Sequence, residues 1–363
     1  MKRLIIAVTM FLLILVSAVP LSAGADYSQE ESEISSQVNE LLEEYDIGWD
    51  MSDLSGMSFS ELFSVVKESL SARAGAPLKM LGTLLAVAVF TSVIRSVGES
   101  AFPESSGQMY DVICVITAVA VIAPQLMTVY GSAMTAVERV GGFITVFVPI
   151  LSAIVIAGGG ITSGAAYNVL TLGASETLII LSQSYLMPVL SLMAVLTISG
   201  SAFPYPALES LASLIKKVTT WTITVAMTLF TGFVSLKCTL TAKADGAATK
   251  TAKFVMSGFI PIVGSAVSDA YSTVRGSFDV IGGTVGTAGV FAVLLILLPP
   301  VAEIIVFRFV MWIGAAAADM FSAPALSKLL KGFDSGLAVA QSVLICYGVM
   351  FILSTAILMQ TTS

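Results

Sequence analysis

The chain has 363 residues, of which 56% are hydrophobic and only 11% are charged. Soluble domains are about 45–50% apolar and ~25% charged, so the composition excludes a soluble fold and indicates an integral membrane protein. The formal net charge is −7 and there is no histidine. Binding to nucleic acid, which needs a basic face, is therefore not expected.

Residues 1–25 have the three parts of a secretory signal peptide. A positively charged dipeptide precedes an apolar core at 4–16, and the small residues AGA follow at 23–25. We expect cleavage here, with the mature chain beginning near Asp26 outside the cytoplasm. An uncleaved first anchor is the alternative, but the apolar core is shorter than the ~20 residues of a typical span.

Residues 26–76 form an acidic extracytoplasmic segment with twelve acidic and two basic side chains. Apolar residues recur at helical spacing in two stretches, which predicts two amphipathic helices separated by residues 49–58. The segment is too small to fold robustly alone, so we expect it on the membrane surface or against a partner. The two stripes are Ile34, Val38, Leu41 and Tyr45, and Phe59, Leu62, Phe63, Val66 and Leu70.

The remainder, 77–363, is predicted to be a polytopic domain, which makes the fold class all-α. We predict about seven transmembrane helices, with six to eight possible. Glu138 and Arg139 are interpreted as a short polar connection between two of them. The predicted apolar runs are 78–97, 110–130, 141–157, 165–199 (interrupted by Glu176 and Pro188), 218–236, 284–320 (broken at Pro299-Pro300) and 337–359.

The segment 237–253 has four lysines against a single aspartate. Positively charged loops face the cytoplasm, so this segment is predicted to be inside. If residues 26–76 are outside, run 165–199 then crosses the membrane once.

The stretch TAKFVMSGFIPIVG at 251–264 is too short to cross a bilayer and too apolar for an ordinary loop. Pro261 removes a backbone donor, and Gly258 and Gly264 loosen the chain on either side. Broken backbone persists in a membrane only where protein or water shelters it. We therefore predict a discontinuous or re-entrant segment that lines a conduit or contacts another subunit, with Lys253 at its cytoplasmic mouth.

An internal repeat is a further hypothesis. FVPILSA at 147–153 resembles FIPIVGSA at 259–266, and a glycine-rich stretch follows each copy, at 158–166 and 282–290. Paired Gly/Pro-interrupted segments are typical of transport folds built from repeats. Chance similarity within a low-variety apolar alphabet is the alternative.

Five charged residues lie in or near apolar runs, where charge is costly and often functional. Asp269, Glu176 and Glu303 are candidates for a pathway or a subunit contact. Structural pairing or interfacial snorkelling is the alternative, and it is favoured for Arg308. The fifth residue is Asp319.

The sequence offers no catalytic, metal or cofactor motif. It lacks a phosphate-binding GK[ST] loop, and its three cysteines are more than a hundred residues apart. We therefore predict that the protein is not an enzyme and binds no cofactor.

An ordered set of short motifs between Asp245 and Gly289 resembles the stage III sporulation protein AE family. The layout of signal peptide, short extracytoplasmic segment and polytopic body is similar as well. The matching motifs are DG at 245–246, TAKF at 251–254, FIPIVG at 259–264, SDA at 268–270, TV at 273–274 and TVGTAG at 284–289.

The resemblance implies a location and partners that the residues alone do not. It implies synthesis in the mother cell and residence in the membrane around the forespore. The implied partners are other membrane proteins of the same operon and a forespore membrane partner, together forming a secretion-like channel complex that sustains spore development. A homo-oligomer is possible. Two alternatives stay open, namely a stand-alone secondary transporter of a small solute and a non-conducting scaffold.

Overall fold

The computed structural model describes residues 29–101, 107–203, 205–259 and 264–362. Within these ranges the chain is all-α, as predicted, and it contains six helical stretches long and apolar enough to cross a membrane. The helices are α1 Gln29–Glu44, α2 Met51–Ser55, α3 Phe59–Arg73, α4 Gly75–Ala101, α5 Gly107–Ala157, α6 Ile161–Leu181, α7 Met187–Ala202, α8 Pro206–Phe259, α9 Gly264–Met320 and α10 Pro324–Thr362.

The structure has six candidate spans instead of the expected seven because two predicted runs form one helix. Runs 110–130 and 141–157 are both parts of α5, which also contains Pro124 and Pro149. Glu138 and Arg139 therefore do not mark a loop. Both lie exposed on the helix, where the Glu138 carboxylate accepts a hydrogen bond from Gln183 and the Arg139 guanidinium donates one to the Tyr45 carbonyl.

Each of the two interrupted runs lies in one continuous helical stretch, and for run 165–199 this agrees with the single crossing on which the predicted orientation depends. Run 165–199 is continuous from α6 through a π-helical segment, Ser182–Leu186, into α7. Run 284–320 lies within α9, with Pro299 and Pro300 inside the helix. The extra residue per turn of the π segment accommodates the break next to Pro188 without ending the helix.

The long helices run antiparallel between two ends of the molecule. At one end, the base, Arg95 of α4 lies 3.6 Å from Asp111 of α5 and donates to the carbonyl of Ser322. At the other end, the top, the α5–α6 turn meets α8 at Asp245 and α9 near Phe278. Helices α5, α9 and α10 form the centre, whereas α8 is the most exposed of the candidate spans.

The helices are much longer than a bilayer requires. Helix α5 has 51 residues and α9 has 57, which corresponds to about 76 Å and 85 Å at ~1.5 Å per residue. A hydrocarbon core is only ~30 Å thick. One bilayer therefore cannot surround the whole length of these helices.

Three uncharged stretches of bilayer length, which together we call the charge-free belt, lie between the base of the bundle and the α5–α6 turn. The belt consists of 140–157 in α5, 218–236 in α8 and 280–302 in α9, none of which contains Asp, Glu, Lys or Arg. These stretches of 18 to 23 residues correspond to roughly 27–35 Å of helix. In α10 no charged residue follows Asp334, and α6 adds one exposed carboxylate, Glu176. Helix α4, another of the six candidate spans, lies beside the base half, where residues 112–137 of α5 also contain no charged side chain.

The N-terminal helices pack against the middle of the bundle, at the edge of the charge-free belt. Helices α1 and α3 agree with the two predicted amphipathic helices, and α2 is an additional short helix between them. Buried Val38 and Leu41 confirm the stripe of α1, whereas Phe63 of the α3 stripe is 61% exposed. Tyr45 packs edge-on against Phe143 of α5 at 5.7 Å between ring centroids. The described acidic side chains of the N-terminal helices are exposed. The outer surface of these helices therefore faces water.

The described parts of the two proposed repeat copies differ in structure. The FVPI stretch at 147–150 lies within α5, and the glycines that follow it form the α5–α6 turn, where Gly159 has a φ of 91°. The glycine-rich stretch 282–290 instead lies in the middle of α9. Within the described residues, therefore, no equivalent pair of broken segments is present.

The predicted re-entrant segment falls where two helices flank residues 260–263. Pro261 lies outside the described residues. The backbone of Lys253 and Gly258 belongs to α8, and that of Gly264 and Asp269 belongs to α9. The side chains of these four residues also lie outside the described part, so the predicted break stays a prediction.

Candidate functional site

A polar cavity of about 660 Å³ lies between the N-terminal helices, α5 and α9, and we call it the proline cavity. One wall is the stretch of α9 that contains Pro299 and Pro300. The opposite wall is formed by the end of α1 and by the loop at 45–49. The polar lining includes Arg73, Thr128, Ser132, Thr135, Arg139 and Glu303.

The two consecutive prolines explain why the cavity lies at this height of α9. Proline has no N–H, so in a regular helix the carbonyls of Leu295 and Ile296 lose their partners four residues on. Both residues line the proline cavity. In a membrane such backbone groups are tolerated only where protein or water surrounds them, and the N-terminal helices provide that shelter.

The charges in the proline cavity are only partly paired. The Arg73 guanidinium, at the end of α3, lies 3.6 Å from the Glu303 carboxylate. That carboxylate oxygen, Oε2, is buried and has no hydrogen-bond partner among the described residues. Arg139 adds a second guanidinium, which donates to the carbonyl of Tyr45. Asp46 and Glu303 supply two carboxylates against the two guanidinium groups, so the cavity is polar and has no excess of either charge.

The candidates from the sequence do not come together at one place. Glu303 lies in the proline cavity, where its partner Arg73 comes from the extracytoplasmic segment. Glu176 is exposed on α6 and does not line this cavity. Asp319 forms an exposed ion pair with Lys331, whose Nζ lies 2.9 Å from the carboxylate. Among the described residues there is no cluster of three or more His, Cys, Asp or Glu arranged to hold a metal ion.

Arg308 has a structural role, as its favoured interpretation predicted, and its partners come from α10. Its guanidinium donates to Asp334 Oδ1 and to Gln341 Oε1, both at 2.7 Å, and lies 5.3 Å from the centre of the Trp312 ring. The residue is only 8% exposed. A buried charge of this kind is tolerated because it is paired and hydrogen-bonded.

Asp245, part of the DG motif, fastens α8 to the first turn of α6. Its carboxylate accepts hydrogen bonds from the backbone N–H groups of Thr162 and Ser163, at 3.0 and 2.9 Å, and from the Thr162 hydroxyl. Gly160, at the N-cap position of α6, has no side chain to accept them. The carboxylate thus supplies from another helix the acceptor and the negative charge that a helix N-terminus requires.

The hydrogen bonds at Asp245 also change its acidity. Burial by itself raises the pKa of the carboxyl group, but the side-chain and backbone donors of Thr162 and Ser163 outweigh it, so the pKa falls below its ordinary value. The residue is 6% exposed and charged at neutral pH. Sequence analysis noted the motif but missed this role, because the partners lie more than 80 residues earlier.

Gly289, the last residue of the TVGTAG motif, allows close contact between α9 and α5. A Cβ atom at this position would lie 2.1 Å from Cζ of Phe147. That ring cannot easily move, because it stacks on Phe143 at 5.2 Å and contacts Phe351 at 5.9 Å between centroids. Gly283, one and a half turns earlier in α9, has open space at the same point.

We expect Gly289→Ala to destabilise the protein by about 1–3 kcal/mol, because the added methyl group overpacks the Phe147 site. Gly283→Ala is the matched control, and it should be neutral or stabilising by up to about 1 kcal/mol through helix propensity. Thermal unfolding of the purified protein in detergent measures both. Equal stability of the two variants would contradict the close contact.

Two residues of the matching motifs, Asp245 and Gly289, therefore lie at contacts between helices. Comparison with known proteins covers the same region of the chain. The family model for stage III sporulation protein AE matches residues 47–362. The chain belongs to this family. The match begins before α2 and extends through the last helix, so it includes the proline cavity, Asp245 and the Arg308 network.

One curated relative agrees with the family assignment. The stage III sporulation protein AE of Bacillus subtilis (strain 168) is 25% identical over 282 residues, which cover 77% of this chain and 70% of the relative. No solved structure matches the chain. Membership of the family gives the protein a role in sporulation, and the six apolar helices agree with a multi-pass membrane protein.

Proposed function

We propose that this protein of the stage III sporulation protein AE family is a membrane component of a channel complex between mother cell and forespore. The observation that carries the proposal is the family match over 47–362, which includes α2, α3 and the membrane helices. The proposed location is the mother-cell membrane that surrounds the forespore, with the N-terminal segment extracytoplasmic after signal cleavage. The proposed partners are the other membrane proteins of the operon and a forespore partner.

Two features of the fold support a role as a subunit. The N-terminal helices are packed onto α5 and α9, which supports a function that they share with the membrane helices. Helices α5 and α9 extend about 45 Å or more beyond a single hydrocarbon core. Lipid alone does not cover that length, whereas neighbouring subunits would.

We further propose that the segment around Pro261 lines the conduit or contacts another subunit, with Lys253, Gly258, Gly264 and Asp269 on its flanks. Helices α8 and α9 both continue past the α5–α6 turn at the top of the bundle, so their ends extend beyond it and are accessible to other proteins. The segment around Pro261 lies between these two ends in the sequence. Its apolar composition suits a protein contact better than exposure to water.

The functional test is spore yield in cells that produce single variants at normal protein level. Pro261→Leu, Asp269→Ala and Glu303→Gln should each lower the yield of heat-resistant spores by at least about tenfold, because each removes a feature that the proposed conduit uses. Lys331→Gln, at an exposed ion pair, is the control and should sporulate normally. Normal yield in the first three variants, with immunoblots showing equal amounts, would refute the proposal.

A stand-alone secondary transporter is the second candidate, and the partly unpaired Glu303 carboxylate in a polar cavity is the observation that favours it. Solute uptake by the purified protein in liposomes without any partner would support this alternative. A channel subunit that depends on the complex should show none.

A further inference from the structure

Two cavities are stacked along one seam of the bundle, where α8 faces α10. The upper one, the apolar cavity, has a volume of about 340 Å³ and is closed by α6 and the π segment. The lower one, the lysine cavity, has a volume of about 550 Å³ and is closed by α7. On α8 the upper lining begins at Thr219, one turn after Lys216 of the lower lining.

The apolar cavity lies inside the charge-free belt. Its α8 wall extends from Thr219 to Phe230, about 17 Å along the helix, within the uncharged stretch 218–236. Its other walls include Leu178, Val343 and Met350. A cavity with such walls at this depth is filled by a hydrocarbon chain in preference to water, because empty apolar space loses packing contacts.

The lysine cavity has an excess of positive charge at the edge of the belt. Lys328 is paired with Glu209, and Lys331 with Asp319, with N···O distances of 2.9 Å. Lys216 is different, because its Nζ donates to the hydroxyl of Ser335 at 3.1 Å, and that partner carries no charge. The cavity therefore contains three ammonium groups and two carboxylates.

Buried hydroxyl groups along the same seam also lack partners. Thr219 Oγ1 in the apolar cavity, and Ser201 Oγ and Ser327 Oγ in the lysine cavity, have no hydrogen-bond partner among the described residues. Thr219 is 1% exposed. Buried polar atoms normally find partners, so the Thr219 hydroxyl, one turn from Lys216, is available to a polar group of a ligand where the two cavities meet.

We propose that the seam binds one anionic phospholipid, with an acyl chain in the apolar cavity and the phosphate at Lys216. The order of the two cavities matches such a molecule, because the charged cavity lies at the edge of the belt and the apolar cavity lies within it. The ammonium group of Lys216 and the hydroxyl of Thr219, one turn apart on α8, supply donors for phosphate and ester oxygens. The proposal assumes that the bilayer occupies the charge-free belt, and it does not depend on the channel function.

The headgroup is tested with the full-length protein in nanodiscs of mixed phosphatidylglycerol and phosphatidylcholine, followed by native mass spectrometry of the lipid retained after transfer to detergent. Wild type should retain one phosphatidylglycerol. Lys216→Ala should retain about tenfold less, since a charge-assisted hydrogen bond is lost. Lys217→Ala is the matched control because Lys217 is the next residue, is exposed and lines neither cavity, and it should behave like wild type. Equal loss in both variants would overturn the assignment of the phosphate to Lys216.

The acyl chain is tested with two glycine substitutions. Gly173 lines the apolar cavity and has open space around it, so Gly173→Leu fills the cavity without a clash and should abolish retention. Gly232→Leu, on exposed α8 with equally open space, lines neither cavity and should retain the lipid. Retention by Gly173→Leu would overturn the proposal.

A soluble anion distinguishes a bound lipid from a site for phosphate alone. Glycerol phosphate at millimolar concentration should not displace the lipid, because it lacks the chain. Displacement by glycerol phosphate, or equal retention of phosphatidylcholine, would contradict an anionic phospholipid as the ligand.

Discussion

Replacing Asp334 with alanine should destabilise the protein by about 3–5 kcal/mol, because the buried Arg308 guanidinium then loses its only carboxylate partner in the described part of the chain. The two side chains are 10% and 17% exposed and their atoms lie 2.7 Å apart. Unfolding of the purified protein in detergent, followed by circular dichroism, measures the loss. It is the largest effect expected from a single substitution here.

A second ion pair between the same two helices is the natural control. Asp319 and Lys331 also join α9 to α10, but their side chains are 53% and 62% exposed. Asp319→Ala should cost no more than about 1 kcal/mol, because water screens an exposed pair. The double variant Arg308→Met/Asp334→Leu should be more stable than Asp334→Leu alone, since it leaves no buried charge unpaired. Equal destabilisation by Asp334→Ala and Asp319→Ala would contradict the burial of the Arg308 network.

Replacing Asp245 with alanine should destabilise the protein by about 1.5–3 kcal/mol, because the first turn of α6 loses a charged acceptor. Glu209→Ala, which removes an exposed carboxylate from the same helix, should cost less than about 1 kcal/mol. Hydrogen exchange of the Thr162 and Ser163 amides should accelerate in Asp245→Ala and stay unchanged in the control. Slow exchange in Asp245→Ala would show that another group caps α6.

The Asp245 contribution should also depend on pH in a defined direction. Its folded pKa is lowered, so the stabilisation is fully present above the unfolded pKa of about 3.9 and is lost as pH falls through the folded value. Asp245→Asn cannot titrate. Between pH 6 and pH 3, wild type should therefore lose more stability than this variant, and parallel loss would contradict the lowered pKa.

The fold class was predictable because it depends on composition and on local pattern. Apolar runs of sufficient length predict membrane helices, and the apolar spacing of residues 34–45 predicts α1. The count of spans was not predictable from Glu138 and Arg139, because whether a charged pair ends a helix depends on the partners available to it. Here those partners, Tyr45 and Gln183, come from distant parts of the chain.

The site was predictable only in part, for the same physical reason. Costly charge near apolar runs drew attention to Glu303, whereas the break predicted at Pro299-Pro300 was wrong, because α9 continues through both prolines. That these prolines line a cavity together with Arg73 follows from the packing of α3 on α9, which no local pattern encodes. Asp245 and Gly289 belong to the matching motifs, but their roles depend on other helices. Asp245 caps α6, and Gly289 allows close contact with α5, and neither partner can be read from the local sequence.

The pairing of Arg73 with Glu303 places a constraint on biosynthesis. The two residues are separated by 230 positions, so at ~5–20 residues per second Glu303 is made roughly 10–50 s after Arg73. During this lag the amphipathic N-terminal helices have already left the ribosome, while the helix that buries them does not yet exist. Their docking is therefore a late event in maturation, and a nascent chain halted before α9 exposes them to chaperones and proteases.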